Sequence, residues 1–520
     1  MTINQTVASA YPSVPRATFY TTPIFYANGE PHLGHAYTAI ITDVFHRFFS
    51  LLGSHSQLIT GTDEHGQKIA GTAQSSGKLP QEFVDQLSQT FSSLWPKLTI
   101  EPDVFIRTTD QDHKAHIQTL WQQLQQQGDI YLGNYSGDYC VACEQYYPKR
   151  ELIDGSLCPI HKQPIEHVEE QTYLFRLEKY RQALLDYYKS NADVIVPSHF
   201  QKTLIEQLES SPLEDLSVSR VNNQWGIQVP SDPEHTVYVW IDALFSYISA
   251  IQRSGSNEQA IANTEHVIGK DILQFHAVYW PAFLLALDLP LPRKLIVHGW
   301  WTINGEKISK SNPETTVNPS QFAERLTVDG LRYALVRQKP LYRDGNVVLD
   351  EFAELINADL LNNFANLVKR NHTLIDKLFA GEISLDKAGC LDEECQAQLS
   401  LSAIALSDIV DAYFQRDLYR VTKEVNTLLS ELNAFFHHRA PWLASNAANG
   451  EHSELHAAQT CLLVSNIVTE LTWLLSPIVP ELANRILGEL NTPASSILTQ
   501  GRLSLRDIHI QSAQSHWQRV

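Results

Sequence analysis

The stretch Ala17–Gly53, which reads ATFYTTPIFYANGEPHLGHAYTAIITDVFHRFFSLLG, decides the fold. Its first ten residues are rich in β-branched and aromatic side chains and end at the turn signal Ala27-Asn28-Gly29, which predicts a strand. A helix is predicted next, because apolar side chains recur on one stripe from Tyr37 to Leu52 and Gly53 follows as a C-terminal cap. The segment SQLITGTDEHG (Ser56–Gly66) predicts a second buried strand ending in a polar loop. This alternation indicates an α/β fold, a parallel sheet with helices on both faces.

The composition of the chain limits its class. With 520 residues, 43% hydrophobic and 10% aromatic, it is typical of globular proteins, and about 150 residues per domain suggests roughly three or four packed units. A net charge of −19 argues against binding nucleic acid by bulk charge but leaves room for a local basic face. Six cysteines are too few for a disulfide scaffold and predict a reducing, cytoplasmic setting. No apolar run reaches the roughly 18 residues of a membrane helix, so we expect no membrane partner.

Changes in pattern along the chain predict its domains. From about Ile117 to Pro233, turns, cysteines and short alternating segments indicate an inserted domain. The segments TVYVWIDA (Thr236–Ala243), HVIGKDI (His266–Ile272) and KLIVHGW (Lys294–Trp300) are predicted to resume the sheet as strands. Beyond about Asp350 the helical periodicity of a Leu/Ala/Asn-rich chain predicts a bundle. The expected units are 17–116 and 236–304 for the two halves of the sheet domain, 117–235 for the insert, 305–352 for a connecting region, 353–490 for the bundle and 491–520 for a tail that no pattern determines.

Two motifs carry phosphate-binding chemistry. His32 and His35 lie at the predicted start of the helix, where unsatisfied N–H groups favour phosphate, and Gly34 lets a flat base approach the backbone. Taken alone, these histidines are equally compatible with a surface pair that flanks a helix cap. Lys307 and Lys310, separated by serine in a Gly-flanked loop, supply cations for a polyphosphate. Taken alone, that loop is also compatible with an ordinary solvated segment.

A metal site is predicted by four residues with ligand spacing. Cys140-x-x-Cys143 and Cys158-x-x-His161 supply three thiolates and one imidazole, which suits a closed, tetrahedral and therefore structural Zn²⁺ site. A disulfide is the alternative reading of these cysteines, and the low cysteine content of the chain disfavours it.

Together, in this order, PHLGH and KISKS resemble the HIGH and KMSKS signatures of the class I aminoacyl-tRNA synthetases. The stretches TTPIFYANGEPHLGHAYT, LITGTDEHG, YCVACE, CPIH, VYVWIDAL, IGKDI, FHAVYWP and NLVKRN are similar, in the same order, to the methionyl-tRNA synthetases of that family, from about Phe19 to Leu487. The resemblance implies a Rossmann-like parallel sheet split by the zinc-bearing insert, with residues 305–352 forming the KISKS loop and a stem-contact region. The bundle would then bind the anticodon.

The resemblance also implies an activity and its partners. The expected reaction is methionine–tRNA ligation, in which L-methionine reacts with ATP, accompanied by Mg²⁺, to give methionyl-adenylate and pyrophosphate. Methionine then passes to the 3′ end of tRNA(Met) for translation initiation and elongation. We expect a monomer, because the chain lacks the additional tRNA-binding domain through which some relatives dimerise.

Individual residues receive roles from the same resemblance. The residues implied in catalysis are His32, His35, Lys307 and Lys310. The residues implied in ATP binding are His32, Gly34, His35, Lys270, Asp271, Gly299 and Lys310. The residues implied in methionine binding are Asp63, which pairs with the ammonium, and Ile24, Tyr26, Trp240, Ala243, Leu244, Tyr247, Ile272 and His276, of which Leu244 replaces the proline of some relatives. The residues implied in anticodon binding are Asn366, Arg370 and Trp442.

Two other functions are weighed against this one. A class I synthetase for cysteine would bind the substrate thiolate at an open zinc position, and the four ligands predicted here leave none. A non-catalytic tRNA-binding paralogue would have a decayed site, whereas His32, His35, Asp63 and Lys310 are intact.

Overall fold

The computed structural model describes residues 17–140, 145–147, 152–159, 162–221, 223–303, 305–308, 318–445, 450–490, 505–511 and 517–520. The strands are β1 Ala17–Thr21, β2 Phe25–Tyr26, β3 His55–Asp63, β4 Val104–Arg107, β5 Ile130–Cys140, β6 Gln145–Tyr147, β7 Glu166–Phe175, β8 Ile195–Val196, β9 Leu216–Ser217, β10 Ser219–Arg220, β11 Gln228–Val229, β12 Asp232–Val237, β13 Thr264–Gly269, β14 Lys294–His298, β15 Trp301–Ile303, β16 Glu306–Lys307, β17 Gly345–Asn346, β18 Glu382–Ile383 and β19 Ile508–His509. The helices are α1 Leu33–Leu51, α2 Gln67–Ser75, α3 Pro80–Lys97, α4 Gln111–Gln126, α5 Arg181–Ser190, α6 Ser198–Ser210, α7 Val239–Arg253, α8 Trp280–Ala286, α9 Pro319–Leu326, α10 Val328–Arg337, α11 Leu349–Ile356, α12 Asn366–Phe379, α13 Leu385–Ala388, α14 Glu393–Phe414, α15 Leu418–Arg439, α16 Gly450–Leu475 and α17 Pro480–Glu489.

A parallel sheet forms the centre of the molecule, as the sequence predicts. Its strands run in the order β4-β3-β1-β13-β14-β8, and the short β2 lies beside the end of β3. From β1 the chain moves to β3 on one side, while β13 enters on the other side. The strand order therefore reverses between β1 and β13, and a crevice opens at such a point beyond the carboxyl ends of the strands.

Helices cover both faces of the sheet because the strands are apolar on both sides. Helices α1 and α3 pack one face, where Phe45, Phe48 and Trp95 are buried. Helices α4, α7 and α8 pack the other face, where Trp121 and Trp280 are buried. Such two-sided burial explains why the central strands read as continuous apolar runs.

Three predictions about segment placement differ from the structure. TVYVWIDA does not resume the parallel sheet, because β12 ends at Val237 in a small antiparallel sheet with β10 and β11, and α7 begins at Val239. The expected boundary at Ile117 falls inside α4. Strand β8, which the sequence assigns to the insert, pairs in parallel with β14 of the main sheet. Strand β8 consists of Ile195 and Val196 alone, and a run of two residues is too short to be identified as a strand from the sequence pattern.

The cysteine-bearing part of the insert is an antiparallel sheet, in the order β6-β5-β7-β9. Strands β5 and β7 pair along ten residues, from Ile130 opposite Phe175 to Tyr139 opposite Glu166. At the far end Cys140 and Cys158 are buried with Tyr147 in a separate small cluster.

The C-terminal third is the predicted helical bundle, built from α12, α14, α15, α16 and α17. Buried ion pairs attach it to the sheet domain. Arg416 binds both carboxylate oxygens of Glu265 on β13 at 2.8 and 2.6 Å. Arg332 on α10 binds Asp43 on α1 at 2.5 Å and the carbonyl oxygens of Pro477 and Ile478 in the bundle. Ion pairs at such depth fix relative position more than they add stability.

The described part of the tail returns to the bundle. Strand β19 pairs antiparallel with β18, and Val520 exchanges two backbone hydrogen bonds with the Asn357 side chain. Within the described residues one stretch, Glu454–Leu475, is long and apolar enough to cross a membrane, and 94% of its most apolar window is buried inside the bundle.

Candidate active site

A cavity of about 550 Å³ opens beyond the carboxyl ends of the central strands. Asp63 at the end of β3, Gly269 at the end of β13 and His298 at the end of β14 all line it. Its position is the crevice that the reversal of strand order creates. The sheet thus brings together residues that are more than 200 positions apart in the sequence.

The start of α1 forms one wall of the cavity through His32, Gly34 and His35. His32 is the N-cap, and its Nδ1 accepts a hydrogen bond from the Gly34 N–H at 3.1 Å. The His32 N–H donates in turn to Nδ1 of His35 at 3.0 Å, and the two rings stack with centroids 3.7 Å apart. Because each Nδ1 accepts a hydrogen bond, each neutral imidazole carries its proton on Nε2, a hydrogen-bond donor.

Gly34 has a steric role in this arrangement. A Cβ at this position would lie 3.0 Å from Cε1 of His32. From the sequence, Gly34 is expected to let a flat base approach the backbone. In the structure, the absence of a Cβ at Gly34 also leaves room for the imidazole of His32, the N-cap of α1.

The KISKS segment reaches the same cavity. Ile308 is 4% exposed and lines the cavity together with His32 and His35. Lys307 ends β16, and its backbone pairs with Thr302 of β15. Lys310 lies outside the described residues. The two motifs that the sequence places 270 residues apart therefore meet at one cavity.

Every residue that the resemblance implies in methionine binding lines this cavity. They are Ile24, Tyr26, Asp63, Trp240, Ala243, Leu244, Tyr247, Ile272 and His276. Helix α7 supplies four of them from its first three turns, because positions three and four apart share one helix face. The result is an apolar slot with a buried carboxylate, Asp63, on its wall.

His276 is held neutral inside this slot. Its Nδ1–H donates to the Ile272 carbonyl oxygen at 3.0 Å, so its Nε2 accepts from the Tyr247 hydroxyl at 2.9 Å. Burial lowers the pKa of His276 to about 4. His276 therefore adds no cation to the slot at neutral pH, which suits an apolar side chain.

Not all of the residues implied in adenosine binding line the cavity. Asp271 and Gly299 line the cavity, whereas Lys270 does not. The Lys270 Nζ binds Asp344 at 2.6 Å and lies 4.3 Å from the Trp300 ring centroid. Gly299 is also required by packing, because a Cβ there would lie 2.3 Å from the Arg343 carbonyl oxygen.

Several lining residues were not identified from the sequence. Tyr37, His298, Trp300 and Trp301 also line the cavity. The imidazole of His298 hydrogen-bonds the Thr38 hydroxyl at 2.9 Å and so joins β14 to α1. A polar residue at the carboxyl end of a buried parallel strand was the available signal for His298.

Two of the four predicted metal ligands, Cys140 and Cys158, lie within the described residues. Cys143 and His161 lie outside the described residues. The backbone of Cys140 pairs with that of Gln145, and the Cys158 N–H donates to the Gln163 carbonyl oxygen. Both sulfurs are buried in one cluster. Among the described residues no group of three or more ligands is assembled.

The predicted anticodon residues lie on the bundle, and none of them lines the cavity. Asn366 and Arg370 are exposed one helical turn apart on α12. The Arg370 guanidinium lies 5.6 Å from the Trp442 ring centroid and 5.3 Å from that of Phe436. An exposed cation beside a half-buried indole is a surface on which an unstacked base can stack.

Comparison with known proteins gives one consistent result. The profile of the family described as "tRNA synthetases class I (M)" matches residues 18–166 and 151–372. The methionine–tRNA ligase of Thermosynechococcus vestitus is 38% identical over 479 residues, which cover 90% of this chain and 89% of that protein. The corresponding enzyme of Thermotoga maritima is 39% identical over 83% of this chain and 69% of that protein.

Solved structures agree with the sequence matches. The Mycobacterium tuberculosis methionyl-tRNA synthetase in complex with methionyl-adenylate superimposes with a TM-score of 0.89 and 33% sequence identity, over 96% of this chain and 99% of that one. The free state of the same enzyme gives a TM-score of 0.84 and 31% identity, over 97% of this chain and 98% of that one.

Proposed function

The chain belongs to the methionine–tRNA ligases, a family of class I tRNA synthetases, and on that premise we propose how its cavity activates methionine. The reaction joins L-methionine to ATP, giving methionyl-adenylate and pyrophosphate, and then transfers methionine to the 3′ end of tRNA(Met) for initiation and elongation. The observation that carries the proposal is that His32, His35 and Ile308 line one cavity beside the apolar slot.

ATP binds across the start of α1. The methionine carboxylate attacks the α-phosphate in line, the bond to pyrophosphate breaks, and negative charge spreads over the phosphate oxygens. The Nε2–H groups of His32 and His35 and the helix N-terminus stabilise that charge. Lys307 and Lys310 contribute cations from the KISKS loop. Mg²⁺ bound with ATP would supply further neutralisation of the phosphate charge.

Methionine binds in the slot of α7. The Asp63 carboxylate binds the substrate ammonium, while Ile24, Trp240 and Leu244 contact the side chain. The neutral Tyr247–His276 pair closes the slot without charge, so a thioether is accommodated and a charged side chain is rejected. No protein side chain acts as a covalent nucleophile. The tRNA 3′ hydroxyl attacks the adenylate carbonyl carbon, and AMP leaves.

A structural zinc ion is part of this proposal. The donor set of three thiolates and one imidazole fits tetrahedral Zn²⁺, and the two described ligands, Cys140 and Cys158, are buried in one cluster. Cys143 and His161 would complete the site. A zinc ion bound there would hold together the segments that carry Cys140 and Cys158, because the small cluster offers little apolar burial.

Recognition of tRNA(Met) is assigned to the surface around Arg370 and Trp442, with Asn366 hydrogen-bonding a base edge. We further assign the protein to the cytoplasm as a monomer, and light scattering would give a mass near 58.8 kDa.

The test is charging of transcribed tRNA(Met) with labelled methionine. Purified full-length protein is expected to charge this transcript and to ignore one in which the CAU anticodon is replaced. Charging with cysteine, or tRNA binding without charging, would instead support the alternatives considered from the sequence.

A further inference from the structure

A buried carboxylate joins the two walls of the methionine slot from behind. Asp242 lies in the first turn of α7, between Trp240 and Ala243, which line the cavity. It is 1% exposed and does not line the cavity itself. Its role is therefore not contact with substrate.

Both oxygens of Asp242 are bound by histidines from other elements. Oδ2 lies 2.6 Å from Nδ1 of His65, and Oδ1 lies 2.7 Å from Nε2 of His113. His65 follows Asp63 by two residues at the end of β3, and His113 belongs to α4. Burial raises the pKa of Asp242, but the charge of His65 and the hydrogen bonds from both rings outweigh it, so the pKa stays below its usual value.

The network continues away from the slot. Nδ1 of His113 hydrogen-bonds the Ser249 hydroxyl at 2.8 Å, and Nδ1 of His116 contacts the same hydroxyl at 3.0 Å. His113 is therefore oriented from both sides, and α4 and α7 are joined along two turns.

Helix α7 packs against the central sheet but does not continue from one of its strands. It follows β12, which belongs to a small antiparallel sheet. Asp63, in contrast, ends β3 of the central sheet. The hydrogen bond from His65 to Asp242 is a direct buried connection between these two walls.

From this geometry we infer that Asp242 is a positioning residue that sets the distance between the ammonium-binding Asp63 and the side-chain slot of α7, and so determines methionine affinity. The inference rests on the proposed function. It assigns Asp242 no part in ATP binding. A broken network should therefore lower the affinity for methionine and leave the affinity for ATP nearly unchanged.

The experiment measures methionine-dependent exchange of labelled pyrophosphate into ATP by full-length variants. Asp242→Asn and His65→Leu are expected to raise the methionine KM about tenfold, the loss of one charge-assisted hydrogen bond, with the ATP KM changed less than about twofold. His65→Asn should recover most of the affinity, because its amide N–H can replace Nδ1–H. Gln252→Ala, on the exposed side of α7, is the control and should leave both KM values unchanged.

Thermal melting of each variant separates folding from positioning. The inference is overturned if methionine and ATP KM values rise together, or if His65→Asn and His65→Leu behave alike at equal melting temperature. Absence of methionine-dependent exchange in the unaltered protein would overturn the proposed function instead.

Discussion

His32 and His35 stack face to face at the start of α1, with ring centroids 3.7 Å apart and planes inclined by 21°. Each ring accepts a backbone hydrogen bond through Nδ1. One pair of side chains thus caps the helix through Nδ1 atoms and lines the cavity. Capping uses Nδ1 and the proposed contact with phosphate uses Nε2, so substitution can separate the two roles.

The substitution His32→Asn separates these two roles. Asparagine is a good N-cap, so the melting temperature should stay close to that of the unaltered protein, whereas His32→Ala should cost about 1 kcal/mol. Both variants should lose roughly 10²- to 10³-fold in pyrophosphate exchange, as when one donor to a developing anion is removed. Exchange at the original rate by His32→Asn would show that the imidazole serves only as a cap.

Lys339 should make stability depend on pH. Its Nζ donates to the Tyr37 hydroxyl at 2.9 Å and lies over the Trp301 ring at 4.9 Å, and burial lowers its pKa to about 7. In the unfolded chain a lysine has a pKa of about 10.4. Between these values the unfolded state binds more protons, so this residue makes the free energy of unfolding rise with pH.

Urea titrations at pH 7, 8 and 9 measure this contribution. Lys339→Met should flatten the rise relative to the unaltered protein and should be the more stable of the two at pH 7. The exposed Lys369→Met is the matched control and should leave the slope unchanged. Parallel pH curves for Lys339→Met and the unaltered protein would contradict the prediction.

Arg370→Ala should weaken tRNA recognition alone. Loss of the cation beside Trp442 is expected to raise the KM for tRNA(Met) about tenfold in charging, within the 1–3 kcal/mol typical of one base contact. Pyrophosphate exchange without tRNA should not change, because Arg370 does not line the cavity. Lys369→Ala removes the adjacent exposed charge and is the control; an equal effect of both would indicate nonspecific attraction of phosphate.

The predicted zinc site can be tested by the metal content of the protein as well as by its activity. Purified protein should contain about one zinc ion per chain by elemental analysis, the stoichiometry of a four-ligand site. Cys158→Ser should lose it, whereas Cys461→Ser, a substitution of a cysteine buried in the bundle, should keep it. Metal-free protein with intact exchange activity, or full zinc content in Cys158→Ser, would rule out the site.

Local sequence patterns were sufficient to predict helix α1 and the buried strands β13 and β14. The helix predicted over Tyr37–Leu52 is observed as Leu33–Leu51, HVIGKDI overlaps β13, and KLIVHGW contains β14. TVYVWIDA was wrong because alternating Val and Tyr side chains fit a strand and the buried first turn of α7 equally well. Element type is ambiguous in so short an apolar run.

Polar contacts between residues far apart in the sequence could not be predicted from local patterns. Nothing near Glu265 in the sequence indicates that Arg416, 151 residues later, binds it. Likewise nothing near Lys270 in the sequence indicates that its Nζ binds Asp344, 74 residues later. The lining of the slot was predictable only because the resemblance supplied it, since isolated aromatic and aliphatic residues are usually core residues.

The most direct test is pyrophosphate exchange measured with each of the twenty amino acids in turn. The juxtaposition of the start of α1, Ile308 and the neutral slot around His276 predicts strong exchange with methionine and little with any other. Exchange that is equal to the amino-acid-free blank with methionine, or stronger with a different amino acid, would contradict the account.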